Sequence, residues 1–316
     1  MTSTHLQELH GLPVFDFLAA APGAGLPAAS SVAWRVGLED SEGEERWSDL
    51  FSRFLATVDT TEVRALVIGL WNEPYDESSE AVIAALSTAR ELFPRLRAVF
   101  LGDITYEECE ISWIIQTSVA PLLGAFPGLL EFGVRGGTGL ALPALRHERL
   151  RSLTIETGGL DRQVVQGVAA SELPELERLD IWLGSSGYGG DTELADLEPI
   201  LSGGRLPRLL HLALHNSEIQ DEIAVALAGA PVVAGLETLD LSMGTLGDEG
   251  AEALLSGQPL DHLKRLDLHH HFISGTLAHR LASTLGAAGV EVDLSRSLAG
   301  GEEFGEPGHR YVAVAE

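Results

Sequence analysis

The sequence predicts an α/β solenoid: a parallel sheet of short strands, each followed by a return segment packed on the outer side. The phrase LxxLxL recurs along the chain, most clearly as Leu236-x-x-Leu239-x-Leu241 and Leu263-x-x-Leu266-x-Leu268. Behind these strand phrases the apolar period changes from 2 to about 3.6, as in GDEGAEALL after Leu246 and EIAVALAG after Asp221. Strand followed by helix, repeated, requires parallel strands with helices outside them.

Repeat phrases begin at Val63, Leu96, Leu129, Leu150, Leu176, Leu209, Leu236 and Leu263, spaced by 33, 33, 21, 26, 33, 27 and 27 residues, with a degenerate copy at Val292 to Leu294. This places a repeat unit over 63–297. Upstream, residues 1–62 hold one predicted strand, Val32 to Leu38, an acidic stretch from Glu39 to Glu45 and an amphipathic helix around Trp47 to Val58. They read as an N-terminal α/β cap, because a solenoid must cover the apolar end of its stack. Past Leu294 the segment SLAGGEEFGEPGH reads as a flexible link, and the tail, 298–316, carries RYVAV, a candidate edge strand for the other end.

The copy Leu236-x-x-Leu239-x-Leu241-x-x-Gly244-x-Leu246-x-x-x-Gly250-x-x-x-Leu254 resembles the ribonuclease-inhibitor-like subtype of leucine-rich-repeat proteins over residues 63 to 297. That resemblance implies an α/β horseshoe with a parallel concave sheet and outer helices. The chain departs from the pattern at the ninth repeat position, where the subtype carries asparagine. Here it holds Trp71, Ile104, Gly137, Gly158, Gly184, Ser217, Gly244, His271 and Ser297. Glycine there is expected to take the strained turn conformation directly. The segments ELHGLPVFDF, AWRV, VFLGDITYEECEISWI, GVRGGTGLALP, LTIETGG and LDLHHHFIS also resemble an uncharacterised bacterial family of cytoplasmic leucine-rich-repeat proteins. This second resemblance implies an accessory or scaffolding role beside an enzyme pathway.

Composition narrows the partners. A formal net charge of −27 arises from 47 acidic against 20 basic residues, and Lys264 is the only lysine. Such a surface repels phosphate backbones and anionic lipid, so neither nucleic acid nor membrane is an expected partner. The single cysteine, Cys109, excludes an internal disulfide. With a start, MTSTHLQELHGLP, that lacks a basic region followed by an apolar core, this predicts a cytoplasmic protein.

The positions between the strand leucines face the concave side. The fifth position reads Val67, Phe100, Gly133, Thr154, Asp180, Ala213, Asp240, Asp267 and Asp293; the seventh reads Gly69, Gly102, Arg135, Glu156, Trp182, His215, Ser242, His269 and Ser295. The N-terminal half of this face is predicted to be small and apolar, the C-terminal half acidic with histidines. Trp182, His215, Asp240, Asp267 and His269 are the expected contacts for a protein partner, with Trp182 as aromatic anchor. The competing reading is that Asp in LDL simply faces solvent as a common form of the repeat.

No residue set makes a convincing catalytic centre, and no cofactor or metal is expected. His269, His270 and His271 with Asp267 and His215 could suggest a metal ion, but consecutive strand residues point to opposite sides. Asp103, Glu107, Glu108 and Glu110 could hold a cation, yet the apolar run through Ile111, Trp113, Ile114 and Ile115 suggests helix capping instead. Cys109 has no basic sequence neighbour to activate it. Gly133 to Gly139 lacks phosphate-loop spacing, and the loop Gly184 to Asp191 is either a rim contact or an ordinary loop. The expected function is a non-catalytic interaction or scaffolding module. Peptide or small-molecule capture on the same face is the alternative, and a metal-dependent enzyme the remote one.

Overall fold

The structure is a computed structural model that describes residues 4–18, 25–40, 43–299 and 309–316. Its sheet runs in chain order through β1 (Glu8–Leu9), β2 (Leu12–Asp16), β3 (Ala33–Val36), β4 (Ala65–Ile68), β5 (Ala98–Leu101), β6 (Glu131–Arg135), β7 (Ser152–Glu156), β8 (Arg178–Gly184), β9 (His211–Ser217), β10 (Thr238–Asp240), β11 (Arg265–Asp267) and β12 (Glu291–Asp293). All neighbouring pairs are parallel except β1 and β2, which form a tight antiparallel hairpin. The sheet is open, an α/β leucine-rich-repeat solenoid with its helices on the outer side.

Register follows the repeat phrase. Trp34, Leu66, Val99, Phe132, Leu153, Leu179, Leu212, Leu239, Leu266 and Val292 stand opposite one another across successive strands. Most of this column is fully buried, as are the next-but-one residues Ile68, Leu101, Val134, Ile155, Ile181, Leu214, Leu241 and Leu268. Helices α1 (Trp47–Thr57), α2 (Glu80–Thr88), α3 (Ala120–Ala125), α4 (Arg162–Ala170), α5 (Leu194–Leu201), α6 (Gln220–Leu227), α7 (Asp248–Ser256) and α8 (Gly275–Ala287) cover the outer face. Neighbouring repeats cap one another. Asp221 at the start of α6 accepts the N–H groups of Gly247 and Gly250 at 2.8 and 3.0 Å, and Asp248 of α7 accepts that of Ser274 at 2.7 Å. A carboxylate at a helix N-terminus satisfies free donors and suits the dipole.

The sheet begins well upstream of residue 63, since β2 and β3 share the register of the repeats that follow. The N-terminal half of the concave face, read from sequence as small and apolar, is not open. Leu9 lies on Ala33, Ala65, Val67, Ala98 and Phe100 as a second small core, with Leu6, Leu12 and Val14 packed at its margin. The alanine column allows this: without larger side chains the hairpin approaches the sheet closely. Leu9 is 5% exposed, a burial that contributes about 2 kcal/mol.

Two sequence expectations about turns change. Among the glycines at the ninth position only Gly184 has positive φ, at +74°. In the last four copies the left-handed residue is one position earlier: Asn216, Met243, His270 and Arg296, with φ of 52°, 65°, 55° and 56°. Gly158 is required instead for close approach, because a Cβ there would sit 2.1 Å from the Ala315 carbonyl oxygen.

That carbonyl belongs to the tail, and RYVAV is not a closing strand. Residues 309–316 form no strand but run as a strap along the rim where the sheet strands end. Arg310 pairs with Asp221 at 2.5 Å, and the Tyr311 carbonyl accepts from His270 at 3.0 Å. Ala313 N–H reaches Met243 O at 2.7 Å, and Ser112 donates to Ala315 O. Tyr188 donates to Glu316, which fixes the Gly184 to Asp191 loop against the strap. Buried Asn216 holds the centre: its amide donates to Val314 O at 2.6 Å and accepts from Val314 N–H at 3.0 Å. The strap's reversed direction, across the strands rather than alongside one, follows from these side-chain anchors. The expected flexible link falls mostly on 300–308, outside the described residues, as do 41 and 42 of the acidic stretch.

Asn216→Ala should destabilise the fold by about 2–3 kcal/mol, because it leaves buried backbone groups of Val314 unpaired. Urea unfolding measures the loss, and limited proteolysis should release the tail first; a tail that stays protected would disprove the anchor.

Candidate binding face

Beyond the area covered by the N-terminal hairpin, the concave face from β8 to β12 is left open by the described residues. Its fifth-position column, Asp180, Ala213, Asp240, Asp267 and Asp293, lies in direct register. Asp240, Asp267 and Asp293 each accept the backbone N–H of the residue two positions on, at 2.9, 3.0 and 3.0 Å. Such local bonds compete with the ladder, which explains why β10, β11 and β12 are only three residues long. The aspartates therefore end the strands as well as charging the face.

The five residues expected from sequence fall into two groups. In the first, His215 lies buried with Nε2 2.9 Å from Asp180 and Nδ1 3.3 Å from Ser242 Oγ and 3.5 Å from Asp240. Trp182 stands edge-on to its ring at 5.6 Å. In the second, Asp267 accepts from His269 Nδ1 at 2.8 Å and from Arg265 at 2.8 Å, while Arg265 also reaches Asp293 at 3.1 Å. His215 and Asp267 are buried; Trp182, Asp240 and His269 are half-buried and reachable. Sequence reading missed Arg178, His211 and Arg265 because the third repeat position, which also faces the concave side, was not read. It also left Asp180, the closest partner of His215, outside the site.

Electrostatics bind these groups together. Burial pulls the His215 imidazole down, but Asp180, with Asp240 and Glu156 behind it, outweighs burial and holds its pKa above the ordinary value. Burial pushes Asp180 up, and the charge and hydrogen bond of His215 bring it below the usual carboxylate range. Asp267 is likewise lowered, its burial overcome by His269 and Arg265.

The triple histidine separates as strand geometry requires. His269 faces the concave side, His270 donates to the strap, and His271 accepts from Ile273 N–H at 3.1 Å and contacts Leu294 O at 3.1 Å. His271 thus performs in its turn the backbone pairing expected of an asparagine. Ligand atoms of Asp267, His269 and Asp293 lie within 4.8 Å of one another, but the Arg265 guanidinium already bridges both carboxylates.

At the other end, the Asp103 to Glu110 segment does not cap a helix, since only a single 3₁₀ turn, Ile111–Trp113, follows. Asp103 is instead fully buried beneath the N-terminal segment. It accepts from Leu6 N–H at 3.0 Å and Arg35 Nε at 3.1 Å, and lies 3.3 Å from His5 and 3.5 Å from Arg135. Arg135 extends this network to Glu156 at 2.7 Å. Burial, then Glu110 and Glu108, push the Cys109 thiol up to about 11, which disfavours the thiolate at neutral pH.

Comparison with known proteins fits this geometry. A crystal structure of a Bacteroides fragilis protein superposes with a TM-score of 0.79 and 29% identity, over 85% of this chain and 76% of that one. A putative F-box/LRR-repeat protein 9 from Arabidopsis thaliana is 38% identical over 111 residues. The chain has the leucine-rich-repeat fold. The plant match spans 35% of the chain and 41% of the relative, and no protein-family model matches the chain. No helix among the described residues is long and apolar enough to cross a membrane.

The His215–Asp180 pair generates a pH signature. His215, raised in the folded state, contributes stability fully present below its unfolded value of 6.5 and lost as pH rises through the folded value. Asp180, lowered, contributes stability present above 3.8 and lost as pH falls through the folded value. The stability gap between the natural chain and His215→Gln should therefore be widest between these limits and shrink on either side. A gap flat from pH 4 to 9 in denaturant titrations would remove the pair's ionic character.

Proposed function

We propose that the open C-terminal half of the concave face, β8 to β12, binds a partner protein, and that the chain serves as a non-catalytic scaffold of the ribonuclease-inhibitor-like repeat subtype, accessory to a bacterial enzyme pathway in the cytoplasm. One observation carries the assignment: the N-terminal half of the same face is filled by the chain's own hairpin, while the C-terminal half leaves half-buried Trp182, Asp240 and His269 uncovered. Half-buried aromatic and charged groups on a rigid sheet match the anatomy of a recognition surface. The match to an F-box/LRR-repeat protein supports an interaction role. A net charge of −27 favours a basic partner and disfavours nucleic acid.

Trp182→Ala combined with Asp240→Asn tests the reading. Asparagine retains an oxygen for the Ser242 N–H, so the strand end survives while the charge is lost. A protein that co-purifies stoichiometrically with the natural chain should be lost from the double variant, and its capture should weaken with salt. Retention by a folded double variant would remove the concave face from the interaction.

A further inference from the structure

The aspartate column is interrupted at Ala213, and the missing side chain opens a pocket of about 270 Å³ on the concave face, floored by Ala213 and walled by Arg178, His211, Thr238, Asp240 and Arg265. We propose that this pocket receives an extended segment of the partner protein carrying one acidic and one basic side chain on the same face, the acid directed to Arg178 and the base to Asp240. The inference rests on the interaction role proposed above and specifies the partner's chemistry.

Three groups around the pocket have unspent bonding capacity. Arg178 is half-exposed, and its guanidinium comes no closer than 4.0 Å to Asp180, whose other oxygen is committed to His215. Asp240 makes its bonds to Ser242 and His215 through Oδ1 alone, leaving Oδ2 without a partner among the described residues. His211 has a buried Nδ1 with no hydrogen-bond partner among the described residues. The far wall is spent by contrast, since Arg265 is held by Asp267 and Asp293.

Charge arrangement separates the candidate ligands. A purely cationic segment, which the overall charge would attract at long range, meets Arg178, His211 and Arg265 along the third-position row, and like charges at close quarters are unfavourable. The basic row and the acidic row lie two residues apart along each strand, about 6.6 Å. Arg178 and Asp240 also stand two strands apart, about 9.6 Å across the sheet, so side chains i and i+2 of an extended segment, about 6.6 Å apart at the backbone, meet both groups through the length of a glutamate and an arginine side chain. A free amino acid carries its ammonium and carboxylate on one carbon, too close together to engage both rows.

The test uses the full chain and fluorescein-labelled ten-residue Gly/Ser peptides carrying Glu-x-Arg, Arg-x-Glu or Arg-x-Arg at the centre, with binding followed by fluorescence anisotropy. One of the two mixed peptides should bind about tenfold tighter than Arg-x-Arg. Arg178→Glu should reverse that preference toward Arg-x-Arg, and Asp240→Arg should abolish binding of the mixed peptide, with both variants checked for unchanged melting. Free arginine and glutamate together should not compete. Equal binding of Arg-x-Arg, indifference to Arg178→Glu, competition by the free amino acids, or no peptide binding would each overturn the dipolar pocket. If that happens while the co-purifying partner is still lost from Trp182→Ala/Asp240→Asn, the concave-face reading stands without it. If the mixed peptide binds as expected but the partner is retained by that double variant, the partner does not use this pocket and both readings of its role fail, leaving only a peptide-binding site.

Discussion

Parallel strands in register bring every side chain about 4.8 Å from its counterpart in the next strand. A residue type chosen for one repeat is therefore stacked on itself in its neighbours. For leucine this builds the core, but for aspartate it stacks like charges, which repel at that separation. The structure answers by inserting cations between the repeats: Arg265 between Asp267 and Asp293, His215 between Asp180 and Asp240, Arg135 between Asp103 and Glu156. The buried charges on the concave face follow from the register itself. Ala213 is the one place between Asp180 and Asp293 where the column is relieved by deletion of the charge rather than by neutralisation.

The two chain ends are used in a matching way. A solenoid has surfaces that its repeats cannot cover for themselves, and here each terminus is drawn back over one of them through a buried polar anchor. Asp103 receives Leu6 from 97 residues upstream, and Asn216 receives Val314 from 98 residues downstream. Asp103 sits just past the end of β5, and Asn216 is the left-handed residue near the end of β9, where its side chain turns to the rim. The ends thus close the apolar half of the concave face and the rim, leaving the C-terminal half of the face uncovered.

How legible this was depends on the range of the interaction. Period and spacing placed the strand columns, because register repeats at intervals the eye can align, and the fifth and seventh positions did land on the concave side. Long-range docking left weaker marks. Ala33, Ala65 and Ala98 at one repeat position signal a close approach, but nothing in the sequence says that Leu9 makes it. RYVAV has strand composition, yet side-chain anchors on other repeats set its path. The expected helix after Glu110 failed because Ile114 is wholly buried in the loop packing, so an apolar run that reads as a helix face serves a return without one. Asp180 was visible in its column, but its bond to His215 joins neighbouring strands across 35 residues of sequence, and only the register reveals it.

The same constraint bears on what the open face can recognise. Because Asp240, Asp267 and Asp293 each accept a backbone N–H at the strand end, their positions cannot drift to suit a ligand, and because the aspartates are matched to cations, most of the column has little charge left for a partner. Recognition must then concentrate where the pairing is incomplete. That condition is met around Ala213, where the deleted side chain leaves Arg178 with only the distant Asp180 carboxylate, at 4.0 Å, and Asp240 with an oxygen that has no partner among the described residues, on opposite sides of β9. A net charge of −27 can draw a basic partner from a distance, but the final contacts require acid and base together, and specificity on this face comes from that local pairing rather than from the overall charge.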